Sequence, residues 1–106
     1  MNPTFGVNVA VHPAHTVVRV DGDLDMDTCP WLATVTDALT LHGRILMVDL
    51  SGVTFMDSSA LHTLLTLRNR TRAEHAVLEL LDVPAQGRRL LAVTGARGLF
   101  LLRPAV

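Results

Sequence analysis

The feature that most constrains the fold is a junction near the middle of the chain, at residues 49–61. Before it, residues 45–50 read Ile-Leu-Met-Val-Asp-Leu, a nearly continuous apolar run that is typical of a strand buried on both faces. Beyond it, leucines recur at helical spacing as far as Arg72: Leu61, Leu64, Leu65 and Leu67. The polar step Asp57-Ser58-Ser59 lies between the two patterns. A buried strand that leads directly into an amphipathic helix is the building unit of α/β folds.

The flanking segments repeat this alternation of strands and helices. Four of them read as further strands: residues 5–11, 16–20, 76–81 and 99–102. The short turn at His12–His15 predicts a hairpin between the first two strands, and Asp21–Asp23 is expected to end the second. The order β-β-α-β-α-β-α-β predicts one small α/β domain over residues 1–106, with a mixed, mostly parallel sheet.

The first helix is predicted to begin near residue 27 and to end near residue 43. Asp27 is a good N-cap, Pro30 falls in the first turn, and Gly43 is a plausible C-terminal cap. Five residues share one helical face and are expected to point inward: Trp31, Leu32, Val35, Ala38 and Leu39.

The last helix is predicted to open at Pro84 and to end just before Gly95. Three of its residues are expected to point inward: Leu90, Leu91 and Val93. Gly87 lies within it, which costs about 1 kcal/mol relative to alanine.

The composition excludes several function classes. The chain is 49% hydrophobic and 18% charged with a net charge of −1, which gives no electrostatic case for binding nucleic acid or an anionic membrane. No apolar stretch approaches the roughly 20 residues of a membrane helix, and the N-terminus lacks the pattern of a signal peptide. The expected compartment is therefore the cytoplasm.

Cysteine and histidine usage gives no indication of a metal site. Cys29 is the only cysteine, so it has no partner for an internal disulfide, and the five histidines are scattered. A thiol at a helix start could have a lowered pKa, although a partly buried, inert thiol is the favoured interpretation of Cys29.

The Asp57-Ser58-Ser59 step is predicted to follow the carboxyl end of a sheet strand, where ligands act in open α/β sheets. Either Asp57 or Ser58 could cap the next helix, and Ser59 is interpreted as mainly structural. A phosphate on Ser58 would lie near unpaired helix N–H groups, so the fold should tolerate it. The surface would change more, because a phosphate adds a charge of about −1.5 to −2. The alternative is that Asp57 and Ser58 are only capping residues.

The stretch around this step resembles the STAS family, the sulfate-transporter and anti-sigma-factor-antagonist domains, and most closely the bacterial anti-sigma-factor antagonists. The family motif, Asp-Leu-Ser-x-Val-x-Phe-Met-Asp-Ser-Ser-Gly-Leu after a buried strand, is matched at nearly every position of residues 49–61. Residues 22–25, Gly-Asp-Leu-Asp, resemble the family's step after the second strand, and residues 88–100 resemble its last helix and strand.

The resemblance implies a regulator that switches partners and is not an enzyme. In such antagonists the serine that corresponds to Ser58 is phosphorylated by an anti-sigma factor that is also an ATP-dependent Ser kinase. The unphosphorylated antagonist binds this kinase and releases the sigma factor; phosphorylation breaks the complex, and a Ser phosphatase resets it. ATP and Mg²⁺ belong to the kinase, so no cofactor is expected in this chain. Two usual glycines are Ala60 and His62 here, and the Ala60 methyl is expected where the kinase must approach.

Eight residues are predicted to form the partner-binding surface: Asp23, Asp25, Asp57, Ser58, Ser59, His62, Thr66 and Arg70. Those at positions 58, 62, 66 and 70 are spaced by four and so follow one ridge of the helix. The three aspartates would form an acidic rim beside it. The alternatives are a solvated helix face for the ridge and turn or capping chemistry for the aspartates.

Other functions remain open within and outside the same fold. One is a STAS module that does not depend on phosphorylation, such as a scaffold or an accessory subunit of a lipid transporter. Another is a domain that binds a nucleotide or lipid, although no Gly-rich phosphate loop supports it. A response-regulator receiver with Asp57 as phosphoryl acceptor is excluded, because the first strand ends at Val11-His12 without an acidic pair and the chain has no lysine.

Overall fold

The structure is a computed structural model that describes residues 5–104, and in it three helices pack against a five-stranded sheet. The strands are β1 (Gly6–Val11), β2 (His15–Leu24), β3 (Ile45–Met56), β4 (Val77–Leu81) and β5 (Leu101–Arg103). The helices are α1 (Cys29–Asp37), α2 (Ser58–Ala73) and α3 (Ala85–Val93), and a 3₁₀ turn at Arg97–Leu99 precedes the last strand.

The sheet has the simplest possible strand order, β1-β2-β3-β4-β5. β1 pairs antiparallel with β2, and every other pair is parallel. Each helix connects neighbouring parallel strands in the same direction, so right-handed crossovers place all three helices on one face. The predicted mixed, mostly parallel α/β fold is confirmed.

The core lies between this face of the sheet and the helices. Alternate residues of the two central strands point into it: Val18, Val20, Leu24, Leu46, Val48 and Leu50. On the other face Arg19 forms ion pairs with Asp21 (3.0 Å) and Asp49 (3.6 Å). The first half of β3 is therefore buried on one face only. The expectation of burial on both faces was wrong because the crossovers leave the second face without helices.

The two central strands run further than the sequence pattern predicts. β2 continues through Asp21–Asp23 to Leu24, with a register shift against β3 and a positive φ of 96° at Gly22. β3 likewise continues to Met56, which pairs with Leu24. This extension carries the end of β3 up to the residue that precedes α2.

The bounds of α1 differ from the prediction at both ends. Thr28, not Asp27, occupies the N-cap position, and the helix ends at Asp37, well before Gly43. Pro30 does lie in the first turn, as predicted. The later start arises because Asp25 forms a turn whose carboxylate accepts hydrogen bonds from the next backbone N–H groups, which delays the helix.

The inward face of α1 also differs from the prediction. Leu32 and Thr36 are buried, whereas Trp31 is 52% exposed. Its ring packs on that of Phe5, with 5.3 Å between the ring centroids. Thr36 is tolerated in the core because its hydroxyl donates to the carbonyl oxygen of Leu32 at 3.0 Å. The apolar residues alone therefore indicated a face that is rotated from the true one.

In α3, Pro84 occupies the N-cap as predicted and Leu91 is buried, but Val93 is 80% exposed and does not point inward. Gly87 is buried against β3: a Cβ there would lie 2.6 Å from Met56 Sδ. The glycine that appeared only costly in the sequence lets α3 approach β3 closely.

Candidate functional site

The start of α2 is fixed by Asp57. Its backbone N–H donates to the carbonyl oxygen of Leu24 at 3.4 Å, which ties the helix start to the end of β2. Its Oδ1 accepts hydrogen bonds from the N–H groups of Ser59 (2.9 Å) and Ala60 (3.1 Å). Asp57 is therefore the N-cap, which resolves the alternative with Ser58 that the sequence leaves open.

Ser58 is the first residue of α2, and its side chain is exposed. Among residues 5–104 its hydroxyl has no hydrogen-bond partner. The side chain of the neighbouring Ser59 is half-buried, and the backbone N–H of Ser59 donates to the capping carboxylate of Asp57. The cap and the free hydroxyl thus belong to adjacent residues. Chemistry on the Ser58 oxygen leaves the capping interaction in place.

Ala60 is fully buried, with 0% of its surface exposed. The expectation that its methyl group crowds an approaching kinase was wrong, because the third residue of the helix faces the core and not the surface of Ser58. Alanine at this position therefore adds packing without adding surface bulk.

A groove of about 480 Å³ lies beside Ser58 between α1 and α2. It is lined by Met26, Cys29, Pro30, Ala33, Ser58, Ser59, His62 and Thr63. The wall that precedes and includes α1 is mostly apolar, with Met26 71% exposed, and the α2 wall is polar. An apolar side chain of a partner fits this arrangement, because methionine adapts its shape to what it packs against.

Cys29 lines this groove, and its thiol is buried. Burial is the main cause of the raised pKa of Cys29; a hydrogen bond with Thr63 opposes the rise, and the charges of Asp57 and Asp25 add to it. The interpretation of Cys29 as an inert thiol is therefore supported over a lowered pKa.

The three predicted rim aspartates lie at the carboxyl ends of β2 and β3, at the same end of the sheet as Ser58. Each carboxylate has a structural partner. Asp23 Oδ1 accepts from the hydroxyl of Thr54 (2.6 Å), and Asp25 Oδ1 accepts from the N–H groups of Asp27 (2.9 Å) and Thr28 (3.2 Å). Asp25 and Asp57 thus serve turn and capping roles, and their charges lie near Cys29 of the groove. Asp23 bonds to the neighbouring strand and does not line the groove, so the three aspartates do not form one continuous rim.

The predicted helix ridge is exposed over its first three members. Ser58, His62 and Thr66 lie on the solvent side of α2, and the Thr66 hydroxyl donates to the carbonyl oxygen of His62 at 3.0 Å. His62 also lines the groove, so two ridge residues border it.

Arg70, the fourth ridge residue, is bound within the protein and is only partly exposed. Its guanidinium donates to Glu74 Oε2 and to the carbonyl oxygens of Thr36 and Leu39, all at 2.6 Å. Arg70 thus connects α2 to the end of α1, at the end of the helix pair away from Ser58. The spacing by four could not indicate this, because both carbonyl partners are tertiary contacts.

Gln86 of α3 is a residue that the sequence reading missed. Its Oε1 accepts from the N–H of Met56 (2.8 Å) and its Nε2 donates to the carbonyl oxygen of Met56 (2.7 Å). No local pattern distinguishes this glutamine from an exposed helix residue, so only the structure reveals the contact.

The part of the chain that the structure describes lacks two features, a metal-binding cluster and a membrane-spanning helix. Residues 5–104 contain no group of three or more histidines, cysteines or acidic residues arranged to hold a metal ion. None of the helices in this part of the chain is long and apolar enough to cross a membrane.

Comparison with known proteins assigns the family. The family model described as Mlab, STAS domain, matches residues 7–103. A STAS-domain containing protein of Pseudomonas aeruginosa is 29% identical over 83 residues, covering 78% of this chain and 82% of that protein. An anti-sigma factor antagonist from Mycobacterium paratuberculosis is 27% identical with a TM-score of 0.80, covering 97% of this chain and 88% of that one.

A likeness to a transporter-related structure supports the fold alone. A sulfate transporter family protein from Wolinella succinogenes is 15% identical with a TM-score of 0.77, covering 92% of this chain and 82% of that one. The strand order, the capped Ser58 junction and a family match that spans nearly all described residues agree, and the chain belongs to the STAS domain family that this Mlab model describes.

Proposed function

We propose that this chain is an anti-sigma-factor antagonist whose unphosphorylated form binds an anti-sigma factor with Ser-kinase activity, and that phosphorylation of Ser58 ends this binding. The observation that carries the proposal is the free, exposed hydroxyl of Ser58 beside the groove, at a helix start that Asp57 already caps. The similarity to the mycobacterial antagonist supports it. ATP and Mg²⁺ enter with the kinase, a Ser phosphatase resets the switch in the cytoplasm, and this chain performs no catalysis.

Phosphorylation is compatible with the fold because Ser58 contributes no side-chain hydrogen bond to it. A phosphate there adds acceptor oxygens at the positive end of the α2 dipole, which is a favourable position for an anion. The cap from Asp57 to Ser59 and Ala60 is unaffected. The modified protein therefore keeps its shape.

The same phosphate opposes binding of a partner over the groove. The groove has an apolar wall at Met26 and Pro30, and the described residues that line it include no arginine or lysine. Asp57 and Asp25 already place negative charge near it. A partner that covers this surface must bury a dianion without an arginine to pair with, which is strongly unfavourable.

The test is a phosphorylation and binding assay with a candidate anti-sigma-factor kinase. We expect mass spectrometry to find one added phosphate on the wild type and on Ser59→Ala, the matched control, and none on Ser58→Ala. We also expect the phosphorylated protein to bind the kinase about 100-fold more weakly than the unphosphorylated one. Labelling that persists in Ser58→Ala would contradict the proposal.

A second candidate is an accessory subunit that binds its partner through the same groove without phosphorylation. The match to the Mlab family model favours it. In that case no kinase labels Ser58, while Met26→Asp, at the mouth of the groove, still abolishes binding of the partner.

A further inference from the structure

We propose that Gln86 is a positioning residue that holds the Ser58 hydroxyl in the position that a partner kinase requires. The inference rests on the proposed role of Ser58, and it concerns the segment that leads from β3 into α2. Ser58 has no side-chain anchor of its own among the described residues, so its place depends on the backbone before it.

The last residues of β3 pair with a strand on one side only. Pairing between β3 and β4 ends at Asp49 and Leu81, yet β3 continues to Met56. From Leu50 onward, β2 is the only strand within residues 5–104 that pairs with β3. Met56 in this extension is buried, so its backbone groups on the side away from β2 need partners from elsewhere, because buried backbone groups are almost always hydrogen-bonded.

The side chain of Gln86 provides them at Met56. A primary amide carries one acceptor and two donors, so it can bond a residue's N–H and carbonyl together, as a neighbouring strand does. Gln86 forms this pair at 2.8 Å and 2.7 Å. The amide therefore replaces a strand at the point where β4 no longer reaches.

The next residue on α3, Gly87, lets the Met56 side chain pack closely against the helix. A Cβ at position 87 would lie 2.6 Å from Met56 Sδ and 3.1 Å from Val83 Cγ1, so a larger residue there would displace the Met56 side chain. Two consecutive residues of α3 thus contact one residue of β3, through its backbone and its side chain. On the other side Met56 pairs with Leu24, whose carbonyl oxygen also accepts from Asp57.

Ser58 follows two residues after this double attachment. Loss of the Gln86 bonds would release Met56 on one side, leave its N–H unpaired and let the Ser58 hydroxyl move relative to the groove. Small displacements of a reacting group can reduce rates by about 100-fold, even when the change is remote from the chemistry. The docking groove between α1 and α2 does not contain Gln86, so partner affinity should change less than turnover.

The experiment compares Gln86→Met, which removes both bonds at nearly constant size, with Gln86→Glu, which keeps the acceptor but loses the donor. Val93→Ala, an exposed position on the same helix, is the control. In the protein alone, we expect amide exchange at Met56 to be about tenfold faster in Gln86→Met and unchanged in the control. With kinase and ATP, kcat for Ser58 phosphorylation should fall about tenfold or more, with KM nearly constant.

The two readouts separate this inference from the proposed function. Faster exchange at Met56 with wild-type kcat in both Gln86 variants would overturn the positioning role alone. Unchanged exchange at Met56 would overturn the anchor itself. A wild-type protein that no anti-sigma-factor kinase phosphorylates would refute the proposed function, while the exchange measurement still tests the anchor.

Discussion

The starts of α1 and α2 border the same groove, and both follow an aspartate at the end of a strand, but they use their hydroxyl groups differently. At α1 the Thr28 hydroxyl is buried, donates to the carbonyl oxygen of Asp23 (2.7 Å) and accepts from the N–H of Asp25 (2.9 Å). At α2 the cap is the Asp57 carboxylate, and the Ser58 hydroxyl is exposed and has no partner among residues 5–104.

This difference separates a scaffold from a site that can be modified. At α1 the Thr28 hydroxyl and the Asp25 carboxylate bond to backbone groups of the turn, so a change to either alters the structure. At α2 an adjacent residue caps the helix, so the Ser58 hydroxyl can react while the fold persists. A residue suited to a switch is one whose functional atom has no structural role.

The largest expected effect concerns the contact that Arg70 of α2 makes with the C-terminal end of α1. Arg70→Met removes the bonds to the carbonyl oxygens of Thr36 and Leu39 and should cost about 3 kcal/mol, since hydrogen bonds to charged groups contribute about 1.5–3 kcal/mol each. Urea unfolding followed by circular dichroism measures the loss. Arg72→Met, an exposed neighbour, should change stability by less than about 0.5 kcal/mol. Equal losses in both variants would show that Arg70 does not hold α1.

The next prediction tests whether the Thr28 hydroxyl at the start of α1 stabilises the fold. Thr28→Val keeps the shape of the side chain but removes its hydroxyl, which leaves the N–H of Asp25 without its acceptor. We expect a loss of about 2 kcal/mol in the free energy of unfolding, measured by urea titration, because unsatisfied buried polar groups cost about 1–3 kcal/mol. Thr28→Ser, which keeps the oxygen, should recover most of it. A neutral Thr28→Val would remove the contrast between the two helix starts.

The same contrast explains which elements of the fold could be predicted from the sequence. The strand and helix order was predictable because periodicity records which residues face a core. The α2 start was predictable to within one residue, because the two candidate caps, Asp57 and Ser58, are adjacent in the sequence. The bounds of α1 were not, since Asp25 forms a turn that the capping pattern at Asp27 does not reveal. The exposure of Trp31 was missed because the buried position of Thr36 depends on a hydroxyl bond within the helix.

The supports of the site were the least predictable part. Arg70 and Gln86 act through carbonyl and amide groups that lie roughly thirty positions away in the chain. Their side chains look like ordinary exposed polar residues in the sequence. The motif indicated Ser58 as the candidate switch, but the contacts of the backbone before it could not be predicted from the sequence.

A smaller effect concerns the cap of α2. Asp57→Ala removes the acceptor for the N–H groups of Ser59 and Ala60 and should lower stability by about 1 kcal/mol, as loss of an N-cap typically does. Thermal unfolding measures it. Asp57→Asn keeps a side-chain oxygen at the same place and should lose less. If Asp57→Ala were neutral and Ser58→Ala destabilising, Ser58 would be the cap of α2, and its assignment as the switch would be wrong.

The smallest expected effect is the most informative for the comparison. Ser58→Ala deletes the same kind of group as Thr28→Val, at the start of the neighbouring helix, yet it should change the free energy of unfolding by less than about 0.5 kcal/mol, because exposed substitutions without partners are usually nearly neutral. Urea titrations of the two variants under identical conditions provide the test. A loss above about 1 kcal/mol in Ser58→Ala would mean that its hydroxyl supports the helix, and phosphorylation would then have to disrupt the fold as well as the surface.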